Sequence, residues 1–295
     1  MKIYLCLAAC FIFLSNHVDI VAQGKHDVYS FSFQKLNTRY TISNPKYLTN
    51  FNDNGYNNQP HFIDQRNLLL SCQLSGQDKT DILALNLFAK KKHLVTRTPE
   101  AEYSPQLRPG SKDFNCVRVE SDEKTQRLWQ FPLNHSSQGE PLFPEVKNVG
   151  YYHWLDNTSV AMFLVGDPHS LVVGNADDNS ITQITSNIGR GMDLAPNKDL
   201  LFIQKLSEKT WYIKRLELNT LRTSIVVETL AGAEDFVVMP DGAILMASKS
   251  ILYRFDPDES KEWEQIADFS KYGLNNISRI AFNNDRILVL VNEVK

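Results

Sequence analysis

A hairpin pattern that occurs six times constrains the fold of this chain more than any other feature of its sequence. Its first instance, residues 57–72, has a short alternating segment up to Phe62, a polar turn over residues 64–67 and an apolar run from Leu68. These are the signals of an antiparallel β-hairpin. The apolar residue before the turn recurs after gaps of 45, 47, 40, 44 and 44 residues. The aligned positions are Phe62, Leu107, Trp154, Leu194, Val238 and Phe282.

Each interval also holds two further strand candidates, such as residues 81–87 and 93–98 in the first repeat. Four short strands in about 40 to 45 residues are typical of one blade of a β-propeller. We find no helical periodicity sustained over ten or more residues, which a helical repeat would need. The sequence therefore predicts an all-β, six-bladed propeller with four-stranded antiparallel blades.

The two ends of the chain are predicted to share one blade. The sixth hairpin, up to residue 291, is not followed by outer strands, whereas strand candidates at residues 28–33 and 39–43 precede the first complete repeat. Pairing the first strands with the last completes the sixth blade and leaves no open sheet edge in the ring. We expect one domain over residues 23–295.

Several loop and turn segments resemble the repeats of TolB-type, WD40-like six-bladed propellers. The segments are Tyr47-Leu48-Thr49-Asn50, Asn57-Asn58-Gln59-Pro60, Phe62 with its polar turn, Ile184-Thr185-Ser186-Asn187 and Met239-Pro240-Asp241-Gly242. The resemblance covers about residues 28–293 and does not include the α/β domain that precedes the propeller in TolB itself. It implies the fold, which can carry many functions.

The first residues predict export. Lys2 followed by an apolar run over residues 3–15 has the features of a secretory signal peptide, residues 1–22, with cleavage near Ala22 and a secreted or periplasmic product. In a second interpretation, Leu7-Ala8-Ala9-Cys10 is a lipoprotein signal with Cys10 acylated. No other stretch is long and apolar enough to span a bilayer, so no transmembrane segment is predicted in the mature chain.

The charge distribution gives no sign of a nucleic-acid partner. The formal net charge is −3 and no Lys/Arg cluster suggests a nucleic-acid face. Residues 90–92, the one compact basic run, are interpreted as a solvated turn.

After cleavage of the signal peptide two cysteines remain, Cys72 and Cys116, in neighbouring repeats. Adjacent sheets pack about 10 Å apart, beyond the usual Cα spacing of a disulfide, so we predict two buried free thiols.

Alternating positions of the six innermost strands, most of them polar, are predicted to ring a central channel. These positions are Gln59, His61, Ser104, Gln106, Tyr151, His153, Gly191, Asp193, Asp235, Val237, Arg279 and Ala281. Seven of them are our candidate ligand-binding residues: Gln59, His61, Tyr151, His153, Asp193, Asp235 and Arg279. We place Tyr151, Asp235 and Arg279 near the rim of the channel. The alternative is a hydrated channel whose polar groups satisfy one another.

No catalytic or cofactor motif is found: the chain lacks GxSxG, HExxH, a phosphate-binding loop and a CxxC pair. We predict no catalytic residue, metal or cofactor. His61 and His153 occupy equivalent positions, so a metal pair stays open beside the interpretation as polar fillers. The predicted function is an exported, non-catalytic propeller that binds a protein or glycan through the loops at one mouth of the channel. The alternatives are a metal-dependent lactonase, hydrolase or polysaccharide lyase with its site in the channel, and a scaffold in a larger assembly.

Overall fold

A computed structural model describes residues 24–36, 39–133, 138–283 and 286–294. The described residues form 24 β-strands and two short 3-10 helices, Asn50–Asn52 and Ser270–Tyr272. The first twelve strands are β1 (Lys25–Leu36), β2 (Arg39–Tyr47), β3 (Tyr56–Phe62), β4 (Asn67–Gln73), β5 (Asp81–Asn86), β6 (Lys92–Leu94), β7 (Ala101–Leu107), β8 (Asp113–Val119), β9 (Gln126–Pro132), β10 (Glu140–Pro141), β11 (Val149–Trp154) and β12 (Ser159–Leu164). The remaining strands are β13 (Ser170–Asn175), β14 (Ile181–Ser186), β15 (Ile188–Leu194), β16 (Leu200–Lys205), β17 (Trp211–Glu217), β18 (Arg222–Glu228), β19 (Phe236–Val238), β20 (Ile244–Ser248), β21 (Ile251–Phe255), β22 (Glu264–Asp268), β23 (Ile277–Phe282) and β24 (Ile287–Val294).

The strands form six antiparallel four-stranded sheets, which confirms the predicted propeller. Blades 1 to 5 each use four consecutive strands, beginning at β3, β7, β11, β15 and β19. Blade 6 has the order β23, β24, β1, β2 from the inside outward. We call the face where the innermost strands begin the upper face, and the opposite one the lower face.

The N-terminal strand closes the ring, as predicted. It pairs with β24 over eight positions, from Lys25 opposite Val294 to Ser32 opposite Ile287. Strand β2 then forms the outer edge of the same sheet. The first and last segments of the described chain therefore share one blade.

The second strand of each blade is apolar because both of its faces are buried. In β16, Leu200 and Phe202 pack into the core between blades 3 and 4, whereas Leu201 and Ile203 pack into the core between blades 4 and 5. A strand covered on both faces reads as a continuous apolar run instead of an alternating one. Six such clusters lie between successive blades and hold the ring together.

Cys72 and Cys116 are free and buried, as predicted. They lie in different cores: Cys72 packs between blades 6 and 1, and Cys116 packs between blades 1 and 2. Burial raises the pKa of both thiols. Because the thiolate is the reactive form, we expect both to be inert in the folded protein.

The prediction of an outer strand at residues 93–98 is wrong in extent, since β6 ends at Leu94. The Thr96 hydroxyl accepts a hydrogen bond from the amide of Ile82 at 2.8 Å and donates one to Oδ1 of Asp81 at 3.1 Å. The Thr96 hydroxyl therefore replaces the backbone acceptor that a longer strand would offer to the amide of Ile82.

The predicted signal peptide and Cys10 lie outside the described residues. Within the described ranges, no helix has the length and apolar character to cross a membrane.

Candidate functional site

The innermost strands of all six blades surround a central channel that contains a cavity of about 300 Å³. All twelve predicted ring positions line this cavity. The cavity is also lined by the residue that lies between the two ring positions of each blade. Whether the seven candidate ligand-binding residues bind anything is a separate question, and it depends on the partners that each side chain already has.

Irregular pairing at the start of the innermost strands sets the direction of the ring side chains. The pairing shifts between Asn58 and His61 in β3 and between Tyr103 and Gln106 in β7, and three other innermost strands shift at related places. Gln59 and Ser104, at equivalent positions, both have left-handed backbones with φ of 53° and 54°. Such bulges redirect a side chain without ending the strand.

Four ring side chains connect their blade to the next one. Oε1 of Gln59 accepts from the amide of Ser104 at 2.9 Å, and Nε2 of Gln106 donates to the carbonyl of Tyr152 at 2.8 Å. A carboxylate oxygen of Asp193 accepts from the amide of Val238 at 2.7 Å. These three bonds join blades 1 to 2, 2 to 3 and 4 to 5.

Asp235 supplies the fourth connection and also binds a cation. Its Oδ2 accepts from the amide of Ile280 in blade 6 at 2.7 Å, and its Oδ1 pairs with Nη1 of Arg279 at 3.2 Å. The other guanidinium nitrogen, Nη2, donates to the phenol oxygen of Tyr151 at 3.2 Å. Blades 3 and 6 are opposite each other in a six-bladed ring, so Arg279 and Tyr151 bridge the channel.

The environment of the channel favours the neutral form of both of its histidines. Burial, together with nearby His153, lowers the pKa of His61 to about 4. Burial also lowers the pKa of His153, although Asp193 opposes the shift, with 3.7 Å between Nε2 and Oδ1. Burial raises the pKa of Asp193. Two neutral imidazoles and one carboxylate are chemically suitable donors for a divalent transition metal. However, the described residues contain no group of three or more His, Cys, Asp or Glu arranged to hold a metal ion.

Sequence reasoning missed a second layer of charged residues above the ring. Arg190 donates to the carbonyl of Ser278 at 3.2 Å, and its Nη1 lies 3.5 Å from Glu234, which also pairs with Lys205. Arg190, Glu234 and Ser278 each stand one residue before a ring position of their own blade. The available signal in the sequence was a pair of opposite charges, Arg190 and Glu234, at the same position of two neighbouring repeats.

The close approach of blades 4 and 5 explains why the ring position at residue 191 is a glycine. A Cβ atom on Gly191 would lie 2.7 Å from the carbonyl oxygen of Glu234. Any side chain would therefore push blade 4 away from blade 5. A second cavity of about 280 Å³ opens above this contact, between the upper loops of blades 4 to 6.

Aromatic residues border the upper mouth on the opposite side. The rings of His26 and Tyr56 meet edge to face with 5.3 Å between centroids, and Tyr56 and Tyr103 do so at 6.2 Å. Burial raises the pKa of Tyr56, although the positive charge of Arg279 opposes the shift. The mouth thus combines an aromatic arc, formed by His26, Tyr56 and Tyr103, with the charged layer.

The chain is a six-bladed propeller with a TolB-like fold. It aligns with a protein from Agrobacterium tumefaciens described as TolB (TM-score 0.68, 13% identity, 93% of this chain and 100% of that one). TolB from Acinetobacter baumannii aligns with a TM-score of 0.62 and 12% identity over 92% of this chain, which spans 64% of that protein. An oligogalacturonate lyase in complex with manganese aligns with a TM-score of 0.57 and 11% identity over 93% of this chain and 99% of the lyase.

At these identities the likeness extends to the fold alone. No protein-family model matches the sequence, and no curated protein matches it either. The solved propellers include both TolB proteins and a lyase, so fold similarity does not choose between binding and catalysis.

Proposed function

We propose that residues 23–295 are released from a signal peptide, residues 1–22, and form a secreted or periplasmic propeller that binds a protein or glycan partner. The binding surface is the upper mouth of the channel, and the protein is not an enzyme. The candidate ligand-binding residues lie at and below this mouth.

The observation that carries this proposal is that four channel side chains already have hydrogen-bonding partners within the protein. Gln59, Asp193 and Asp235 accept hydrogen bonds from the backbone of the next blade, and Arg279 is shared between Asp235 and Tyr151. A residue that acts on a substrate needs a free coordination or hydrogen-bonding position. The channel ring is therefore better suited to holding the mouth rigid than to reacting.

The upper mouth has the composition of a recognition surface. Tyrosine combines a large apolar contact area with a polar tip, and it is enriched where proteins bind partners. The aromatic arc borders one side of the mouth, while the second cavity and Arg190 lie on the other. Loops on a rigid β scaffold are the usual location of such sites.

A matched pair of photo-crosslinking positions tests the surface. A photoreactive amino acid at Ala231, exposed in an upper loop, should capture a protein partner during export, whereas the same residue at Asn197, exposed in a lower turn, should not. A panel of glycans tested with the purified protein covers the other partner class. Tyr103→Ala should weaken binding in either case. Equal or stronger capture from Asn197 would refute the assignment of the upper mouth.

The second candidate is a metal-dependent propeller enzyme. It is favoured by the 3.7 Å approach of His153 to Asp193 and by the fold likeness to a lyase that binds manganese. Elemental analysis of the purified mature protein decides between the binding propeller and the metal-dependent enzyme. Stoichiometric manganese, zinc or calcium that is lost in His153→Gln would support the enzyme and count against the binding module.

A further inference from the structure

A groove of about 320 Å³ lies on the outer rim where blade 6 meets blade 1. One wall is the end of β2 and the segment after it, from Lys46 to Phe51, and the other is the end of β5 with the turn that leads to β6. It is separate from the channel and from the upper mouth, since the lining residues are different.

The floor of the groove is apolar and continues into the hydrophobic core. Leu85 and Leu87 belong to the core between blades 6 and 1 and are 5% and 6% exposed. Leu48 and Phe51 are partly buried and pack against the same core. The groove therefore gives an apolar ligand access to the edge of this core.

Three lysines, Lys46, Lys90 and Lys92, stand on the rim of this apolar floor. In the described ranges, none of them has a carboxylate oxygen within 4 Å, although other lysines such as Lys79 and Lys205 do. Lys92 instead places its ammonium 4.6 Å from the ring centroid of Phe51. Grouping like charges without an anion creates a positive potential beside the apolar surface.

We propose that this groove binds a small amphipathic carboxylate, that is, an aliphatic or aromatic acid whose apolar body covers Leu48 and Phe51 while its carboxylate meets the lysines. The volume is at the lower end of the range for small-molecule clefts, and such sites combine an apolar lining with a few polar groups that fix orientation. The positive rim selects an anion. The concave floor between two blades favours a small molecule over a flat protein surface.

The test uses decanoate as the probe, titrated as monomers into the purified protein by isothermal titration calorimetry. We expect saturable binding with one molecule per chain. Decyltrimethylammonium, with a similar tail and the opposite charge, should bind at least about tenfold more weakly, a difference that corresponds to about 1.4 kcal/mol. Acetate, which has the charge without the apolar body, should give no measurable binding.

The double variant Lys46→Gln/Lys92→Gln should lose at least about tenfold in affinity for decanoate because charge-assisted contacts are removed. The matched control is Lys112→Gln/Lys124→Gln, which changes the net charge equally at exposed positions in the turns of blade 2, outside the groove lining. Each single variant is measured as well, and thermal unfolding establishes that the proteins are folded.

Three outcomes would overturn the proposal. One is a failure of decanoate to bind the wild-type protein. Another is equal binding of decanoate and decyltrimethylammonium, which would show that the lysines do not select the ligand. The third is binding that persists unchanged in folded Lys46→Gln/Lys92→Gln. If an acidic peptide rich in Leu and Phe binds the groove and decanoate does not, the groove serves a protein partner instead.

Discussion

Arg279 of blade 6 donates a hydrogen bond to the phenol oxygen of Tyr151 in blade 3, across the channel and 128 residues away in the chain, with 3.2 Å between Nη2 and the oxygen. The guanidinium carbon also lies 5.0 Å from the centroid of the Tyr151 ring. Asp235 holds the other side of the same guanidinium. The channel is thus bridged by a charged group that three blades share.

The first prediction concerns the pair of Arg279 and Asp235, whose side chains are 11% and 17% exposed. Removing one partner of a mostly buried pair leaves a charge without compensation, so Asp235→Ala should lower the free energy of unfolding by about 3 kcal/mol. Arg279→Met combined with Asp235→Ala should cost less than the sum of the single changes. Urea unfolding of the four proteins measures the coupling.

The exposed pair of Lys79 and Glu123, 2.6 Å apart, is the control for that cycle. Its side chains are 40% and 73% exposed, so water screens the attraction and the coupling should be much smaller. Equal coupling energies in the two cycles would contradict the structural role of Arg279.

The second prediction concerns pH. The pKa of His61 is lowered to about 4, whereas an unfolded histidine titrates near 6.5. As the pH falls from about 6.5 to about 4, the unfolded chain binds a proton that the folded chain does not, so the free energy of unfolding falls. The full effect for this one group is about 3 kcal/mol.

Buried acids such as Asp193, whose pKa is raised by burial, act in the opposite direction, so the variant His61→Gln isolates the histidine. Relative to wild type, the variant should gain stability as the pH is lowered from 7 to 4, as measured by chemical denaturation at several pH values. Parallel stability profiles for the two proteins would show that His61 does not titrate in this way.

The third prediction tests closure of the ring through β1. Phe31 is 1% exposed and packs edge to face against Phe269 of blade 5. Phe31→Ala should lower the free energy of unfolding by about 3 to 5 kcal/mol because it leaves a cavity in this core. Phe88→Ala, at a side chain that is 61% exposed, should change it by less than about 1 kcal/mol. Similar losses in both variants would mean that β1 is not part of the cooperative core.

The fourth prediction concerns the thiols. Cys72 and Cys116 are both buried and free, and burial raises their pKa. Neither should react with a thiol reagent in the native protein, and both should react after unfolding in guanidinium chloride. Phe88→Cys would place a thiol at an exposed position and should react in the native state. Rapid labelling of the wild-type protein under native conditions would contradict this burial.

The fifth prediction concerns processing. If residues 1–22 are a signal peptide, the intact mass of the exported protein should correspond to a start near Gln23. Cleavage should also remove Cys10. A lipid-modified Cys10, or an exported form that retains Met1, would overturn this prediction.

The channel ring shows how much of the candidate site could be predicted from the sequence. Alternation along an extended strand is a local property, so the pattern at Gln59 and His61 was sufficient to predict that both line the channel. The same pattern did not reveal the bulges before His61 and Gln106. A bulge adds a residue to one strand relative to its partner, and one strand's pattern contains no information about its partner.

By itself the sequence determined the number of blades, their strand order and the use of the N-terminal strand for closure, because repeat length, turn chemistry and apolar runs act over short distances along the chain. Only the tertiary structure decided which partners the polar residues have. Gln59 bonds to a residue 45 positions away and Arg279 to one 128 positions away. The groove likewise brings Lys46 of blade 6 and Lys92 of blade 1 to one site. Hydrogen bonds and charge pairs form only within a few ångströms, and such distances between remote segments exist only once the blades are packed.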